Sequence, residues 1–286
     1  MDTTELLKKV KKIEIKAKGK SQDVFSGAYH TAFKGRGMSF AETRAYQYGD
    51  DIRNIDWNVT AKTGEPQIKV YEEERELTIM LLIDVSPSGF FGSNLMKKDF
   101  IAEMACVIAI NALKNNDKVG AILFSDKIEK YIPPKKGRKN ILHIVRDIVL
   151  LSDKGNGTNI GAALSFLNNL QKKKSVCFIF SDFIDENYET SMKIISKRHD
   201  LIPVRVHDPR ECHIPNLGLV QFFDSENNVT QLIDTGDKNM VKKLAQKMEY
   251  FSQKFIHFTN KYGIDGLSIG TNEDYIKAFL KYFKKR

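Results

Sequence analysis

The chain contains 286 residues with a mass of 32.7 kDa, of which 42% are apolar and 28% are charged. This composition is typical of a globular protein and argues against a collagen, coiled-coil or disordered chain. The length fits one large α/β domain, with or without a smaller appendage. The formal net charge of +9 raises the alternative of a nucleic-acid or anionic-membrane binder, although the lysine clusters are scattered and carry no interleaved aromatic residues.

The cysteine content and the amino terminus bear on the cellular compartment. The first twenty residues contain seven lysines and no apolar stretch, so a secretory signal is not expected. No apolar run approaches the ~20 residues that a membrane span needs. The three cysteines, Cys106, Cys177 and Cys212, form no CxxC pair. So few cysteines predict a reducing cytoplasm and no disulfide framework.

The first 76 residues differ from the rest and are interpreted as an appendage packed on the main domain. Near the amino terminus, Leu6, Val10, Ile13 and Ala17 share one face at helical spacing, with lysines around them. A helix of this kind could lie on a membrane surface. Docking on the body of the protein is the favoured interpretation.

Residues 44–57 form a dense charged and aromatic segment, RAYQYGDDIRNIDW. One interpretation is a second docking surface. The other, which is favoured, is a corner held by Arg–Asp hydrogen bonds, because guanidinium and carboxylate groups match each other in paired hydrogen bonds. In that corner Tyr46 and Trp57 are expected to pack against the sheet.

From Leu77 to the carboxyl terminus, apolar strands alternate with helical patterns. Strands are predicted at Leu77–Ile83, Lys118–Phe124, Ser175–Phe180, Leu201–Val206 and Gly266–Ile269, with an edge strand at Lys127–Ile132 that Pro133 and Pro134 stop. Helices are predicted at Met96–Leu113, Asn140–Leu151, Asn159–Leu170, Tyr188–His199, Lys238–Tyr262 and Glu273–Phe283, and a hairpin at Leu219–Phe223 and Thr230–Ile233. Continuous apolar strands alternating with helices predict a doubly wound, mostly parallel α/β sheet over residues 77–286.

Polar side chains follow the predicted strands where the chain leaves the sheet. The first strand leads into Asp84, Ser86 and Ser88, a glycine-containing loop leads into Thr158, and the third strand leads into Asp182. Serine and aspartate are also common turn formers and helix caps. In an open α/β sheet, however, the carboxyl ends of the strands form the ligand-binding edge. Hydroxyl and carboxylate oxygens at that edge predict a Mg²⁺ or Mn²⁺ site.

The small number of carboxylates points to binding and not to catalysis. Mg²⁺ prefers near-octahedral coordination, so a site with two carboxylates should leave a position that an Asp or Glu of another protein can complete. A metal-dependent phosphatase or nuclease is the enzyme alternative, but no second-metal cluster or general base accompanies Asp84 and Asp182 in the sequence. His207, Asp208, Cys212 and His213 match no zinc spacing and are interpreted as a polar loop.

The ordered set Asp84-x-Ser86-x-Ser88, Thr158 and Asp182 resembles the metal-ion-dependent adhesion site of von Willebrand factor A-like domains. That resemblance implies a doubly wound α/β module that binds a protein ligand through the metal. By this carry-over, the first three residues are first-loop ligands, Thr158 is the second-loop ligand and Asp182 is the third-loop carboxylate.

The segment at residues 44–57, followed by a strand and the Asp-x-Ser-x-Ser motif, resembles a bacterial family known as domain-of-unknown-function family fifty-eight. Residues 132–138 and 198–210 also fit its pattern. The resemblance implies a partner of a MoxR-type AAA+ ATPase, acting in the assembly of protein complexes. One departure is Gly89, where the family often has another small residue or methionine; the ligand set is unaffected.

Overall fold

The computed structural model describes residues 3–20, 23–33, 38–73, 76–92, 95–151, 157–212, 215–224 and 229–286. The helices are α1 (Thr3–Lys20), α2 (Asp23–Phe33), α3 (Trp57–Thr63), α4 (Lys97–Lys114), α5 (Arg138–Leu151), α6 (Ile160–Leu170), α7 (Glu189–Arg198), α8 (Pro209–Cys212), α9 (Lys238–Tyr262) and α10 (Tyr275–Lys285). The strands are β1 (Met38–Ala45), β2 (Gln67–Glu73), β3 (Thr78–Asp84), β4 (Lys118–Phe124), β5 (Ile128–Lys135), β6 (Val176–Ser181), β7 (Asp200–His207), β8 (Leu219–Asp224), β9 (Val229–Asp234) and β10 (Leu267–Gly270).

Six strands form the central sheet in the order β10-β7-β6-β3-β4-β5. Neighbouring strands are parallel except for β5, which runs antiparallel to β4. Two further antiparallel pairs, β1–β2 and β8–β9, lie outside this sheet. The predicted fold class, a doubly wound and mostly parallel α/β sheet, is confirmed, as is the hairpin after residue 218.

Helices cover both faces of the central sheet, because its strands are apolar on both sides. On one face, alternate residues of β3 and β6 join side chains of α1, α2, α4, α5 and α10 in a single hydrophobic cluster. On the other face, the intervening residues pack with α6, α7 and α9. Two-sided burial of this kind is what makes the strands of a parallel sheet read as continuous apolar runs.

Strand β5 corrects one expectation. Pro133 and Pro134 do not stop the strand, which runs to Lys135. The prolines are tolerated because β5 is the edge of the sheet and because its pairing with β4 is irregular opposite them, with a register shift between Val119 and Ala121. Gly120 on β4 allows the close approach of this strand, since a Cβ there would stand 2.9 Å from the carbonyl oxygen of Ile132 and from the nitrogen of Pro134.

Helix α1 docks on the body of the protein, as favoured from the sequence. Val10, Ile13 and Ala17 are each 6% exposed or less and belong to the main hydrophobic cluster. The side chain of Leu6 lies outside the described residues. Around this apolar face, Lys9 pairs with Asp99 at 2.6 Å, and Lys16 pairs with Glu103 at 2.5 Å. Among the described residues, no helix is both long and apolar enough to cross a membrane.

The charged segment at residues 44–57 is the Arg–Asp corner that the sequence favoured. Both terminal nitrogens of Arg44 donate to the Asp50 carboxylate at 2.8 Å, and Arg53 donates to Asp51. The expectation that Trp57 packs against the sheet was wrong, since its side chain is 70% exposed. Trp57 is the first residue of α3, a short helix without a buried residue.

Candidate metal centre

The predicted site residues lie at the carboxyl edge of the central sheet. Asp84 is the last residue of β3, which pairs in parallel with β6. Ser86 and Ser88 follow in a short turn, and Asp182 comes directly after the end of β6. Thr158 precedes the amino terminus of α6. Three loops that are distant in sequence therefore meet at one point.

Hydrogen bonds join these five side chains into one cluster. The Ser86 amide donates to Asp84 Oδ1 at 3.0 Å, and the hydroxyls of Ser86 and Ser88 are 3.0 Å apart. Thr158 Oγ1 donates to Asp84 Oδ2 at 3.4 Å. The Ser88 hydroxyl donates to the Asp182 carboxylate. The structure thus brings together all five residues that the sequence singled out.

Ser181, the last residue of β6, adds another hydroxyl to the cluster. Its Oγ donates to Asp84 Oδ2 at 2.7 Å and accepts from the Phe183 amide at 3.1 Å. Sequence reasoning placed Ser181 at this strand end but did not count it among the site residues. Its role here is to hold the Asp84 carboxylate in a fixed orientation.

The main residue missed by sequence reasoning is Lys97, at the start of α4. Its ammonium nitrogen lies 2.9 Å from Asp182 Oδ2 and 2.7 Å from Glu211 Oε1, and its side chain is 3% exposed. In the sequence this lysine belongs to a Lys-Lys pair typical of a solvated helix surface. One signal was present, because a cation in the first turn opposes the helix dipole and needs a compensating reason to be there.

The same residues line a small pocket that opens at the edge of the sheet. Its polar wall consists of Asp84, Ser86, Ser88, Lys97 and Asp182 together with Ser181, and Gly89, Ile101 and Val206 complete the lining. Asp84 and Asp182 are 7% and 6% exposed. The carboxylates are therefore shielded from bulk water but remain next to an open space.

The pKa values of the two aspartates are shifted in opposite directions. Burial, with repulsion from Asp182, raises the pKa of Asp84 to about 6, although hydrogen bonds from Ser181 and Ser86 oppose this shift. Burial acts on Asp182 in the same direction, but the adjacent Lys97 ammonium outweighs it and lowers the pKa of Asp182. Burial lowers the pKa of Lys97, but attraction to Asp182 and Glu211 outweighs it and raises that pKa. Asp182 thus has a cationic partner inside the protein, whereas no ion pair of the described residues includes Asp84.

Two contacts fix the loops that carry Thr158 and Asp182. Asn159 caps α6 by accepting from the Ala162 amide at 2.8 Å, and Asp185 accepts from the Ile160 amide at 2.9 Å. Asp185 lies in the loop after Asp182, so this bond ties the two loops together. Phe183 has a φ of 58°, a conformation that costs a residue with a side chain on the order of 1 kcal/mol or more and is common at functional sites.

The donor set of the pocket fits a hard divalent cation. It consists of hydroxyl and carboxylate oxygens, which Mg²⁺ and Mn²⁺ prefer. No cation among the described residues pairs with the buried Asp84 carboxylate, and burial of an uncompensated charge is costly; a divalent ion beside it would offset that cost. Within the described part of the chain, no group of three or more His, Cys, Asp or Glu side chains could hold a metal. A metal at this edge would therefore depend on the hydroxyl oxygens.

The polar loop after β7 behaves as the sequence suggested where it can be followed. Asp208 is fully buried and accepts hydrogen bonds from the Arg210 amide at 2.9 Å and from Thr271 Oγ1 at 2.6 Å. The first is a local turn contact, and the second ties this segment to the residue that follows β10. The side chain of Cys212 and residue His213 lie outside the described residues.

Residues 42–253 match the sequence model of a family described as "Protein of unknown function DUF58". The uncharacterized protein Rv1480 of Mycobacterium tuberculosis is 26% identical over 291 residues, an alignment that covers 100% of this chain and 91% of the relative. The uncharacterized protein MAV169 of Mycobacterium avium is 23% identical over 158 residues, covering 54% of this chain and 93% of the relative. The family match includes every residue of the candidate site.

Solved structures with some likeness to this chain include BatB from Bacteroides thetaiotaomicron, with a TM-score of 0.47 and 14% identity over 73% of this chain and 98% of that chain. The SpRpn10 VWA domain gives a TM-score of 0.41 and 10% identity over 71% of this chain and 93% of that chain. At these values the description of the fold rests on the strand order of the chain itself.

Proposed function

The chain belongs to the DUF58 family of proteins of unknown function, and on that premise we propose that it is a non-enzymatic protein-binding module that holds its partner through a divalent cation. The observation that carries this proposal is that Asp84, Ser86, Ser88 and Asp182 line one pocket at the sheet edge, with Thr158 joined to Asp84 by a hydrogen bond. The proposed ion is Mg²⁺ or Mn²⁺. The proposed ligand is an Asp or Glu side chain of a cytoplasmic MoxR-type AAA+ ATPase or of its client.

In such a site, different residues would supply the charge, orient the charged ligand and provide neutral oxygens. Asp84 supplies the charge, and Ser181 and the Ser86 amide orient its carboxylate. The hydroxyls at positions 86, 88 and 158 supply neutral oxygens. When bound, the cation would supply positive charge that the few protein carboxylates leave partly uncompensated, and an acidic side chain of another protein would be attracted to it.

The arrangement gives less support to a phosphoesterase. With a cation bound, neither acid of the pocket would be left to act as a general base, because Asp182 pairs with Lys97 and Asp84 would hold the ion. Lys97 has a raised pKa, so it remains an ammonium group at neutral pH and is not a nucleophile. Hydrolysis of generic phosphoesters in the presence of Mg²⁺, lost in Asp182→Ala, would favour the enzyme.

The first test is a calorimetric titration of the purified protein with Mg²⁺ and Mn²⁺. We expect saturable binding by the wild type and at least a tenfold loss in Asp84→Ala, since a single charged ligand is worth ~1.4 kcal/mol or more. Asp99→Asn removes an acid of α4 whose partner is Lys9 and should bind the ion like the wild type. Equal binding by wild type and Asp84→Ala would contradict the site assignment.

The partner is tested with a purified MoxR-type ATPase encoded in the same genome. Immobilised wild-type protein should retain the ATPase in Mg²⁺ and release it in EDTA, and Asp84→Ala should fail to retain it. Retention that persists in EDTA would contradict a cation-bridged contact. In that case the two proteins would associate through another surface.

A further inference from the structure

Lys97 is a buried cation placed inside the proposed cation site. Its side chain is 3% exposed, and its ammonium group bridges Asp182 and Glu211 at 2.9 and 2.7 Å. Its backbone amide is also fixed, by a hydrogen bond to the carbonyl oxygen of Phe91 at 3.0 Å. The lysine is therefore held in place from both ends and cannot be treated as a mobile surface charge.

The charges around Lys97 are unequal. The pocket has three carboxylates nearby, those of Asp84, Asp182 and Glu211. Lys97 forms ion pairs with the last two. Asp84, which the lysine does not pair with, has only hydrogen-bond donors. Lys97 thus compensates the charge of Asp182, whereas the charge of Asp84 is left for an external cation to compensate.

Two cations that face one carboxylate repel each other, and each reduces the attraction that the other gains. Asp182 Oδ1 accepts from the Ile184 amide at 3.2 Å, while Oδ2 faces Lys97. Neither oxygen of Asp182 is without a donor. A divalent ion in the pocket has to share Asp182 with the lysine or to lie on the Asp84 side.

We propose that Lys97 sets the affinity of the site: its ammonium group competes with the divalent ion for Asp182 and keeps the ion weakly held until a partner supplies a further carboxylate. The inference rests on the proposed function, because it concerns the same pocket and the same ion. It adds Lys97, which is not part of the Asp-x-Ser-x-Ser motif, and it adds control of the affinity for the ion. Metal and partner then bind cooperatively, since each lacks part of its ligands without the other.

Glu211 anchors the competing lysine. Its Oε1 receives Lys97, and its Oε2 accepts from the Asp208 amide at 3.3 Å. Because the Lys97 ammonium is shared between Glu211 and Asp182, the loss of the Glu211 charge would leave Lys97 to Asp182 alone. Lys97 and Glu211 are therefore expected to change the affinity for the ion in opposite directions.

The test measures Mn²⁺ affinity, from the signal of free Mn²⁺ in electron paramagnetic resonance, on full-length variants. Lys97→Met keeps the length of the side chain and removes its charge, and should bind Mn²⁺ at least tenfold more tightly than the wild type. Lys97→Arg keeps the charge and should stay within about threefold. Lys114→Met makes the same charge change at the far end of α4 and should leave the affinity unchanged.

Thermal melts of the same variants give a second readout. Without Lys97, the carboxylates have no internal cation, so Lys97→Met should melt at a lower temperature in EDTA and recover more on addition of Mg²⁺ than the wild type does. A purely structural lysine would lower the melting temperature equally in EDTA and in Mg²⁺, which would overturn the proposal.

The outcomes separate this inference from the proposed function. If the wild type binds Mn²⁺ and Lys97→Met binds it no more tightly, the role of Lys97 is wrong and the cation site stands. If neither protein binds Mn²⁺, the cation site itself is wrong. Should Lys97→Met fail to fold, Lys97→Gln decides the question: tighter Mn²⁺ binding supports competition by Lys97, and unchanged or weaker binding refutes it.

Discussion

Asp117 is a buried carboxyl just before β4, and it couples the stability of the protein to pH. It is 3% exposed and accepts hydrogen bonds from the Leu77 amide at 3.0 Å and from the Tyr29 hydroxyl at 3.3 Å. Burial outweighs these bonds and raises the pKa of Asp117 to about 6. Between the unfolded pKa of ~3.9 and the folded value, the folded state binds more protons, so stability falls as pH rises through this range.

Asp117→Asn should remove this pH dependence. From pH 4 to pH 7 the variant is expected to gain stability relative to the wild type, by about 1 to 2 kcal/mol, because a shift of one pKa unit corresponds to ~1.4 kcal/mol and solvent screens part of it. Urea unfolding of both proteins at several pH values measures the difference. Parallel pH profiles for the two proteins would show that Asp117 is not the group responsible.

At the scale of single residues, sequence reasoning located groups whose role depends on spacing and missed groups whose role depends on burial. Asp84, Ser86 and Ser88 were found because a strand exit fixes their relative positions. Lys97 was missed and the prediction for Trp57 was wrong, because whether a charged or aromatic side chain is covered depends on which loops and helices pack over it. That information is distributed over the whole fold.

At the scale of elements, the amino terminus of α6 is both a helix cap and a support for the site. Asn159 and Asp185 accept from the first amides of the helix, and Asn159 donates its own amide to the carbonyl oxygen of Ser125 at 2.8 Å. These contacts determine where Thr158 stands relative to Asp84. Helix α6 was readily predicted. The hydrogen bond that Asp185 accepts from the Ile160 amide was not, because the two residues are 25 positions apart in the sequence.

Asp185→Ala should lower both stability and cation affinity. We expect a loss of ~1 kcal/mol in unfolding free energy, the usual value of a helix cap, and a several-fold weaker Mg²⁺ affinity because Thr158 is displaced. Asp274→Ala is the matched control, since Asp274 caps α10 by accepting from the Ile276 amide at 3.0 Å away from the pocket. It should lose similar stability and keep its Mg²⁺ affinity; equal affinities in both variants would exclude a positioning role for Asp185.

At the scale of the whole molecule, the amino-terminal helices complete the main core. Helix α4 has buried residues around most of its circumference, because α1 lies on the side that the sheet does not cover. Side chains of α2, among them Phe25 and Tyr29, form edge-to-face contacts with Phe283 of α10. The sequence predicted the docking of α1 from its apolar spacing, but it did not predict α2 or where β1 and β2 would lie.

Ile13→Asp tests this docking, with Ile15→Asp as its control two residues away. Ile13 is 5% exposed and Ile15 is 61% exposed. A buried unpaired carboxylate should cost ~3 kcal/mol or more, whereas a surface substitution is usually within ~0.5 kcal/mol. Chemical unfolding of the two variants measures both values. Similar stabilities would mean that α1 does not contribute to the core.

The two prolines at the end of β5 also restrict how another protein can approach. An intruding β-strand needs a row of free N–H and C=O groups along a sheet margin, and Pro133 and Pro134 have no N–H to offer. The opposite margin is β10, with four residues, which is short for a stable ladder. Addition of a strand from another protein, or from a second copy of this chain, is therefore disfavoured at both edges of the sheet. Recognition is directed instead to the loops at the carboxyl ends of the strands.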